Sequence, residues 1–345
     1  MTGAGSKQKR KITTSDLARL SGVSRSTVSA VLNGKRSVRE ATRAKVLACI
    51  REQRYDSGLI ARTLLGELSR IVAVLAPNLG SPYHMMYFQG LQDILGKEDF
   101  HLLFHNVRPE DQEDPATLES IHAYRPAGFI ILRGAEGPQA EHARKVVEEG
   151  VPLVCEMPID GLETHVVGFD QRAAMKLAAD YVIEKGHRRL GHIAGPSFSH
   201  GARERKIGFL ESLVQHDMPL SEANILDAGE TAADGYVAAL EMLRDPATRP
   251  TAVLCFNDMV AMGVFRACHE LKMNIPADVS VVGYDGIEFA ALFGPPLTSV
   301  NIFPTEMGRR AGEVLVRAIR NEAGRGATTT WIPSELTERG SVRAL

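Results

Sequence analysis

From Arg70 to Tyr284 the chain repeats one pattern, a short run rich in β-branched residues followed by a longer amphipathic stretch. The runs are Ile71 to Ala76, Phe100 to Phe104, Gly128 to Leu132, Pro152 to Cys155, Val166 to Phe169, Leu190 to Ala194, Thr251 to Phe256 and Val279 to Tyr284. Between most of them lie Tyr87 to Leu95, Pro138 to Glu149, Ala173 to Lys185, Ala202 to Gln215 and Ala232 to Leu243, with apolar residues at helical spacing. Strands alternating with helices imply parallel α/β layers joined by right-handed crossovers, and a stretch this long suits two sheets better than one. No solenoid repeat of fixed period is visible.

The residues before this body read differently. Thr13 with Asp16 makes a capping box, and Leu17, Ala18 and Leu20 supply an apolar face for a short helix. Ser21-Gly22-Val23 is a tight turn, after which Ser24 can cap a second helix ending before Asn33-Gly34. That helix turns Val28, Val31 and Leu32 inward and leaves Arg25, Ser26, Thr27 and Ser29 outside. A third helix is predicted from about Glu40 to Gln53, buried through Ala44, Leu47, Ala48 and Ile50. The unit's small core draws on Leu17, Val23, Val28, Val31, Val46 and Leu47, near the lower limit for independent folding. Residues 54–70 include Leu59 to Leu65, helical in propensity but too short to hold alone, and read as a conditional hinge.

Charge divides the chain at the same place. Residues 1–62 carry 14 Lys/Arg against 4 Asp/Glu, net +10, whereas the remainder is net −12, which leaves −2 overall. A basic head on an acidic body points to a polyanion as partner of the head, because neutralised phosphates release counterions. Met1 to Lys11 has no apolar core of the signal-peptide kind, and no later stretch is apolar over 18 consecutive residues, so a cytoplasmic protein without a membrane span is expected. Cys49, Cys155, Cys255 and Cys268 lack CxxC spacing and read as buried free thiols of a reducing compartment.

A helix that reads DNA must be short, braced by its predecessor, and lined outside by groups that reach bases and phosphates. The order Leu17-Ala18, Gly22, Val23-Ser24, Thr27-Val28-Ser29, Val31-Leu32-Asn33-Gly34 meets that demand as a set. Together with Thr42-Arg43, Val46, Tyr55 and Ala61-Arg62-Thr63-Leu64, it closely resembles the lactose repressor (LacI/GalR-type) family of bacterial transcription regulators. The likeness continues through Ser81-Pro82-Tyr83, Gly186-His187-Arg188-Arg189, Ile193-Ala194-Gly195-Pro196, Phe256-Asn257-Asp258, Ile275 to Asp285, Pro295-Pro296-Leu297-Thr298 and Met307-Gly308, and spans Ile12 to Ser341.

The resemblance implies a helix-turn-helix head joined by a hinge helix to a two-lobed, periplasmic-binding-protein-like α/β body with parallel sheets. In residue numbers, 1–11 is a disordered basic tail, 12–56 the head, 57–69 the hinge and linker, and 70–341 the effector-binding and dimerisation domain. Its first lobe takes about 70–168 and 303–330, and its second about 169–301 and 331–341. The function implied is a homodimeric regulator, a repressor of the bacterial cytoplasm associated with the nucleoid when on DNA. It would bind double-stranded, near-palindromic operator DNA under allosteric control by a small effector. An activator or purine-responsive regulator of the same family, and a cytoplasmic sugar-binding protein without a DNA role, are the alternatives.

Carried over residue by residue, base reading falls on Arg25, Ser26 and Ala30, with Thr14, Ser24, Thr27, Ser29 and Asn33 as further DNA contacts. Arg25 can donate two hydrogen bonds to guanine, whereas Ala30, where an arginine is common, can only touch a thymine methyl. Arg39 stands in place of the serine that usually caps the third helix. In the hinge the contacts fall on Ser57, Ala61 and Leu64, Leu64 being the wedge between central base steps of the minor groove; the other reading packs Leu64 against the body. Asp56-Ser57 departs from the family's Pro-Asn. A dimer surface including Tyr87, Leu91 and Leu95 is expected, and no heptad tail follows Ser341.

No catalytic constellation emerges, so no enzyme, cofactor or metal is expected. His187, His192 and His200 lack metal-ligand spacing, and nothing fixes Asp258 and Asp285 at a glycosidase separation. Ligands of α/β lobes gather beyond the carboxyl ends of strands, where Tyr83, Asn257 and Asp285 stand, with Arg205 early in a later helix. An aspartate, an arginine and an amide can grip vicinal hydroxyls without reaction, although Asn257 and Asp285 could instead cap helices. The resemblance places Arg205, Asn257 and Asp285 at sugar-contacting positions, with Met157, Glu230 and Ile302 as departures in the same cleft. Glu230 stands where an aromatic ring often stacks, and Met157, beside Glu156, where an aspartate is common. Glu230 and Glu156 argue against phosphorylated ligands while Arg205 and Arg133 argue for them; a neutral sugar or polyol is the expected effector.

Overall fold

The computed structural model describes residues 12–32, 38–53, 69–107, 120–133, 138–219, 224–322 and 326–345. In the head, α1 (Thr14–Ser21), α2 (Arg25–Leu32) and α3 (Glu40–Glu52) enclose a core of Leu17, Val28, Val31, Val46, Cys49 and Ile50. The predicted capping box forms, with Thr13 and Asp16 each satisfying the other's backbone N–H, and Gly22 ends α1 in the left-handed conformation that glycine adopts without strain. Ser24 Oγ accepts from Thr27 N at 3.0 Å at the start of α2. The Arg39 carbonyl accepts from the amides of Thr42 and Arg43, which places Arg39 at the entry of α3.

Three packing expectations in these helices fail. Ala44 and Ala48 are exposed, because the face that meets α1 and α2 is set by the larger Val46, Cys49 and Ile50, whereas Leu47, half-buried, packs against that core. Leu20 is 50% exposed and lies outside the cluster that Leu17 joins.

Among the described residues the body holds two six-stranded sheets. The first is ordered β11-β5-β4-β3-β1-β2 and the second β12-β10-β9-β8-β6-β7. The strands of the first are β1 (Ile71–Ala76), β2 (His101–Asn106), β3 (Gly128–Ile131), β4 (Leu153–Cys155), β5 (His165–Gly168) and β11 (Thr329–Trp331). Those of the second are β6 (Leu190–Ala194), β7 (Ile225–Asp227), β8 (Ala252–Cys255), β9 (Ser280–Asp285), β10 (Thr298–Asn301) and β12 (Glu335–Thr337). The pairings β1·β3, β3·β4, β4·β5 and β5·β11 are parallel, as are those joining β7, β6, β8, β9 and β10, while β12 runs antiparallel to β10. Central strands such as β1, β6 and β9 are buried along their whole length, as expected of sheets covered by helices on both faces.

The crossover helices are α4 (Pro82–Leu95), α5 (Pro138–Glu148), α6 (Gln171–Glu184), α7 (His200–Gln215), α8 (Ala232–Leu243), α9 (Asp258–Glu270) and α10 (Pro304–Ile319). The chain enters the second lobe after β5, returns to the first through α10 and β11, and crosses again to β12. Helices α4 and α10 touch almost backbone to backbone: a Cβ added at Gly308 would lie 2.0 Å from the Tyr87 carbonyl oxygen, and one at Gly90 within 1.9 Å of that of Thr305. Tyr87, Leu91 and Leu95 are fully buried within the lobe, so they do not form the surface expected of them. The four cysteines are buried free thiols. Among the described residues, no helix is long and apolar enough to cross a membrane.

Candidate functional site

In the head, Ser24, Arg25, Ser26 and Ser29 are exposed along α2, and Thr14, Thr27 and Ala30 are half-buried. Inward Val28 and Val31 fix which side of the helix is presented. The Ser24, Ser26 and Thr27 hydroxyls cluster at its N-terminus, with Ser24 Oγ 2.8 Å from Ser26 Oγ and 2.7 Å from Thr27 Oγ1. Hydroxyl donors and the first amides of a helix there suit a phosphate. Asn33, Ser57, Ala61 and Leu64 lie outside the described residues.

In the body, the predicted effector residues divide into a second-lobe group and a cross-lobe group. Asp285 ends β9 with φ 106°, a backbone conformation rare outside glycine, and is followed by Gly286 at φ 72°. Asp258 secures this turn from below: Oδ1 accepts from Ser299 Oγ at 2.6 Å and Oδ2 from Ile287 N at 2.9 Å. The Asp285 side chain is almost fully buried, yet among the described residues its carboxylate accepts no hydrogen bond. Burial pushes it up to about 8, with Arg205 and Arg133 pulling down and Asp258 and Glu230 pushing up. Burial also raises Asp258, to about 6, against the donors that hold it.

Arg205 stands beside Asp285, gripped from several sides. Its Nε donates to Gln171 Oε1 at 2.7 Å, Nη1 donates to the Phe256 carbonyl, and the guanidinium lies 3.8 Å from the Tyr284 ring centroid and 4.5 Å from that of Phe256. Gly195 is required for this arrangement, since a Cβ there would come within 2.6 Å of the Phe256 ring.

The cross-lobe group centres on Glu230, which precedes α8. Arg133 Nη1 donates to its Oε2 at 2.6 Å and Asn78 Nδ2 to its Oε1 at 3.1 Å, both from the first lobe. Asn257 donates Nδ2 to the Glu230 carbonyl at 3.0 Å and accepts from Val260 N at 2.7 Å, so it caps α9 while tethering the Glu230 main chain. Glu156 accepts from the Tyr83 hydroxyl and, at 2.9 Å, from Arg133 N. Burial and then Glu156 push the Tyr83 hydroxyl well above its ordinary range. Burial works against the charges of Arg133 and Glu230, but their mutual attraction outweighs it and holds both ionised. His84 donates to the Asn78 carbonyl; burial, then Arg133, lower it to about 4, which keeps it neutral.

Met157 and Ile302 are both buried. The Glu156 carboxylate, one residue before Met157, joins the polar cluster. Gln171, Phe256 and Tyr284 were not among the expected contacts. Phe256 and Tyr284 are neighbours of Asn257 and Asp285 at the ends of strand-forming runs, a position that could have flagged them; nothing local to Gln171 marks it. Among the described residues, no group of three or more His, Cys, Asp or Glu could hold a metal ion. His187 and His192 serve the fold through bonds to Thr251 Oγ1 and the Leu254 carbonyl.

Comparison with known proteins matches both parts of this arrangement. The family profile described as "Bacterial regulatory proteins, lacI family" covers residues 13–57, and that of a "Periplasmic binding protein-like domain" covers 179–342. The ribose operon repressor of Escherichia coli (strain K12) is 31% identical over 335 residues, 95% of this chain and 99% of that one. The HTH-type transcriptional repressor PurR of Proteus mirabilis (strain HI4320) is 32% identical over 337 residues, 96% of each. A crystal structure of the lac repressor dimer bound to operator and the anti-inducer ONPF superposes with a TM-score of 0.75 at 25% identity, covering 97% of this chain and 100% of that one. Regulators of this family are not enzymes. With a helix-turn-helix head and a two-lobed body matched over nearly its whole length, this chain belongs to the lacI family of bacterial regulatory proteins and is a DNA-binding transcriptional regulator.

Proposed function

We propose that the protein is a repressor that binds a near-palindromic operator as a homodimer and answers to a hydroxyl-rich small ligand, a sugar or polyol, held between the lobes of its body. Arg25, Ser26 and Ala30 read bases, with Thr14, Ser24, Thr27, Ser29 and Asn33 as supporting contacts and Ser57, Ala61 and Leu64 acting in the hinge. Tyr83, Arg205, Glu230, Asn257 and Asp285 belong to the effector site, while Met157 and Ile302 back it from the interior.

The observation that carries the ligand class is the balance of donors and acceptors. Asp285 offers a carboxylate with no donor among the described residues, and Glu156 and Glu230 keep lone pairs free. Arg133 is already paired with Glu230, and Arg205 has spent donors on Gln171 and the Phe256 carbonyl. Such a site rewards a ligand that donates several hydrogen bonds, as vicinal hydroxyls do. The curated relative named for the ribose operon supports the same reading.

Control requires the ligand to prefer one arrangement of the lobes, since equal affinity for two states shifts nothing. Closure of the lobes on the ligand changes the spacing of the first lobes across the dimer, and with it the geometry in which two heads reach successive major grooves. The test is to select bound DNA from a random pool and titrate the complex with neutral sugars, polyols, sugar phosphates and purine bases. A neutral sugar or polyol should alter operator affinity; a response confined to purines or sugar phosphates would reject the ligand class, and no selected sequence at all would reject the regulator's operator.

A further inference from the structure

The Arg133–Glu230 pair does something a ligand ordinarily does: it spans the cleft. Glu230 is tied to the second lobe through its own carbonyl, which accepts from Asn257, the cap of α9. Its carboxylate nevertheless takes hydrogen bonds from two first-lobe side chains, Arg133 just after β3 and Asn78 after β1. Arg133 also lies 5.9 Å from the Phe256 ring centroid in the opposite lobe. On its own side its main-chain N–H donates to Glu156 at 2.9 Å, which fixes the backbone from which the guanidinium reaches Glu230. The side chains of Arg133 and Glu230 keep 18% and 23% exposure, so the pair is shielded from solvent without being sealed in.

We propose that Glu230 is an internal anion for Arg133, which joins the lobes in the absence of any ligand and keeps anionic ligands out of the cleft. A guanidinium facing a binding cleft is ordinarily its anion receptor, through paired N–H donors. Here that receptor is filled by a carboxylate of the same chain, delivered from the opposite wall. An anionic ligand would have to displace Glu230 and leave its charge without a partner, whereas a neutral polyol can bind beside the pair and leave it intact. The effective arrangement of the lobes is therefore biased toward closure before the effector arrives, and the effector acts on a population already partly closed. The bridge stands on the geometry of the body alone; only its effect on operator affinity rests on the function proposed above.

The experiment uses the full chain with spin labels at E148C and E241C, exposed positions on α5 of the first lobe and α8 of the second. The native cysteines are buried, and dilution with unlabelled chain suppresses distances between subunits. Without ligand, Glu230→Ala and Arg133→Ala should each shift the interlobe distance distribution to longer values, and the double substitution should shift it no further than either alone. Asn78→Gly, which removes the outer of the two bonds and suits the positive φ at that position, should give a smaller shift in the same direction and serves where a variant of the central pair does not fold. Met86, which packs on the second lobe's core, is common to all variants and cannot produce the difference. Inorganic phosphate is the second probe: Glu230→Ala should bind it at least about tenfold more tightly than the unsubstituted chain, and Arg133→Ala added to it should abolish the gain. Unchanged distances in the variants would overturn the bridge, and phosphate affinity equal in the single and double variants would overturn the exclusion of anions.

Discussion

Asp285 shows how much one side chain can be made to do by its surroundings. Its carboxyl sits near 8 against an ordinary 3.8, so between these values the folded chain holds a proton that the unfolded chain has released. The stability this contributes is present at low pH and fades as pH rises from about 4 to about 8, the reverse of a carboxylate in an ion pair. Asp285→Asn is therefore expected to flatten the fall in stability of the effector-free protein between pH 6 and 8, while Asp258, raised to about 6, keeps its part between 4 and 6; urea titrations across this range would show it. A hydroxyl-bearing effector calls for the ionised carboxylate, so binding at pH 7 should release a proton, visible as a dependence of binding enthalpy on buffer, and lost in Asp285→Asn along with roughly 10- to 100-fold of affinity, about 1.5–3 kcal/mol. In the head, Arg25 is the exposed guanidinium at the start of α2. Arg25→Ala should cost about 1–3 kcal/mol on the selected operator and relax preference at one base pair. Equal losses on selected and random DNA would remove Arg25 from the reading set.

At the level of elements, the pairing of α4 with α10 is the contact that local sequence reading hid most completely. Along α10 the buried residues are Pro304, Met307, Gly308, Ala311, Gly312, Leu315, Val316 and Ile319, a regular stripe at helical spacing. Two interior glycines in that stripe lower helix propensity, and their purpose, close approach to α4, depends on a partner more than 200 residues away in sequence. The same partner explains why Tyr87, Leu91 and Leu95 face inward: an apolar stripe says that something covers it, but not whether the cover is another helix of the chain or a second subunit. Strand-forming runs were legible because buried parallel strands need consecutive β-branched residues, whereas β7, β11 and β12, three residues each, carry too little pattern to be seen. In the head, cap residues marked α1 and α2, while the inner face of α3 was displaced toward Ala44 and Ala48 because small apolar residues obey the spacing without filling the core. Of the cleft, Arg205, Asn257 and Asp285 could be placed from strand ends and motifs. The Glu230 bridge could not, since no local signal joins residues 78, 133 and 230. The glycine contacts give a prediction with a sign: Gly308→Ala gains about 1 kcal/mol of helix propensity but meets a carbonyl at 2.0 Å. Overpacking costs about 1–3 kcal/mol, so a net loss of body stability in denaturant titration is expected; a net gain would mean that α4 and α10 separate easily.

Across the whole molecule, the function proposed above places two binding events of opposite electrostatic character on one chain. The first 62 residues carry net +10 and the rest net −12, so the charge available to DNA is concentrated in the head rather than averaged over the protein. Each phosphate neutralised by Lys or Arg contributes about 0.9 to the slope of log affinity against log salt. A dimer with about 6–10 phosphate contacts should thus lose roughly 10³- to 10⁵-fold in operator affinity between 50 and 200 mM salt. The cleft presents the contrary case. Its guanidiniums are matched by carboxylates and carbonyls of the same chain, its ion pair is largely shielded, and a neutral ligand exchanges no counterions on entering. Effector affinity of the DNA-free protein should therefore change less than about twofold over the same interval. The two salt slopes, measured on one preparation, separate the readings of the cleft: a steep loss of effector affinity with salt would identify a charged effector and contradict the neutral, hydroxyl-rich one. A shallow slope for operator, with effector binding intact, would instead place the DNA contacts elsewhere than on the basic head.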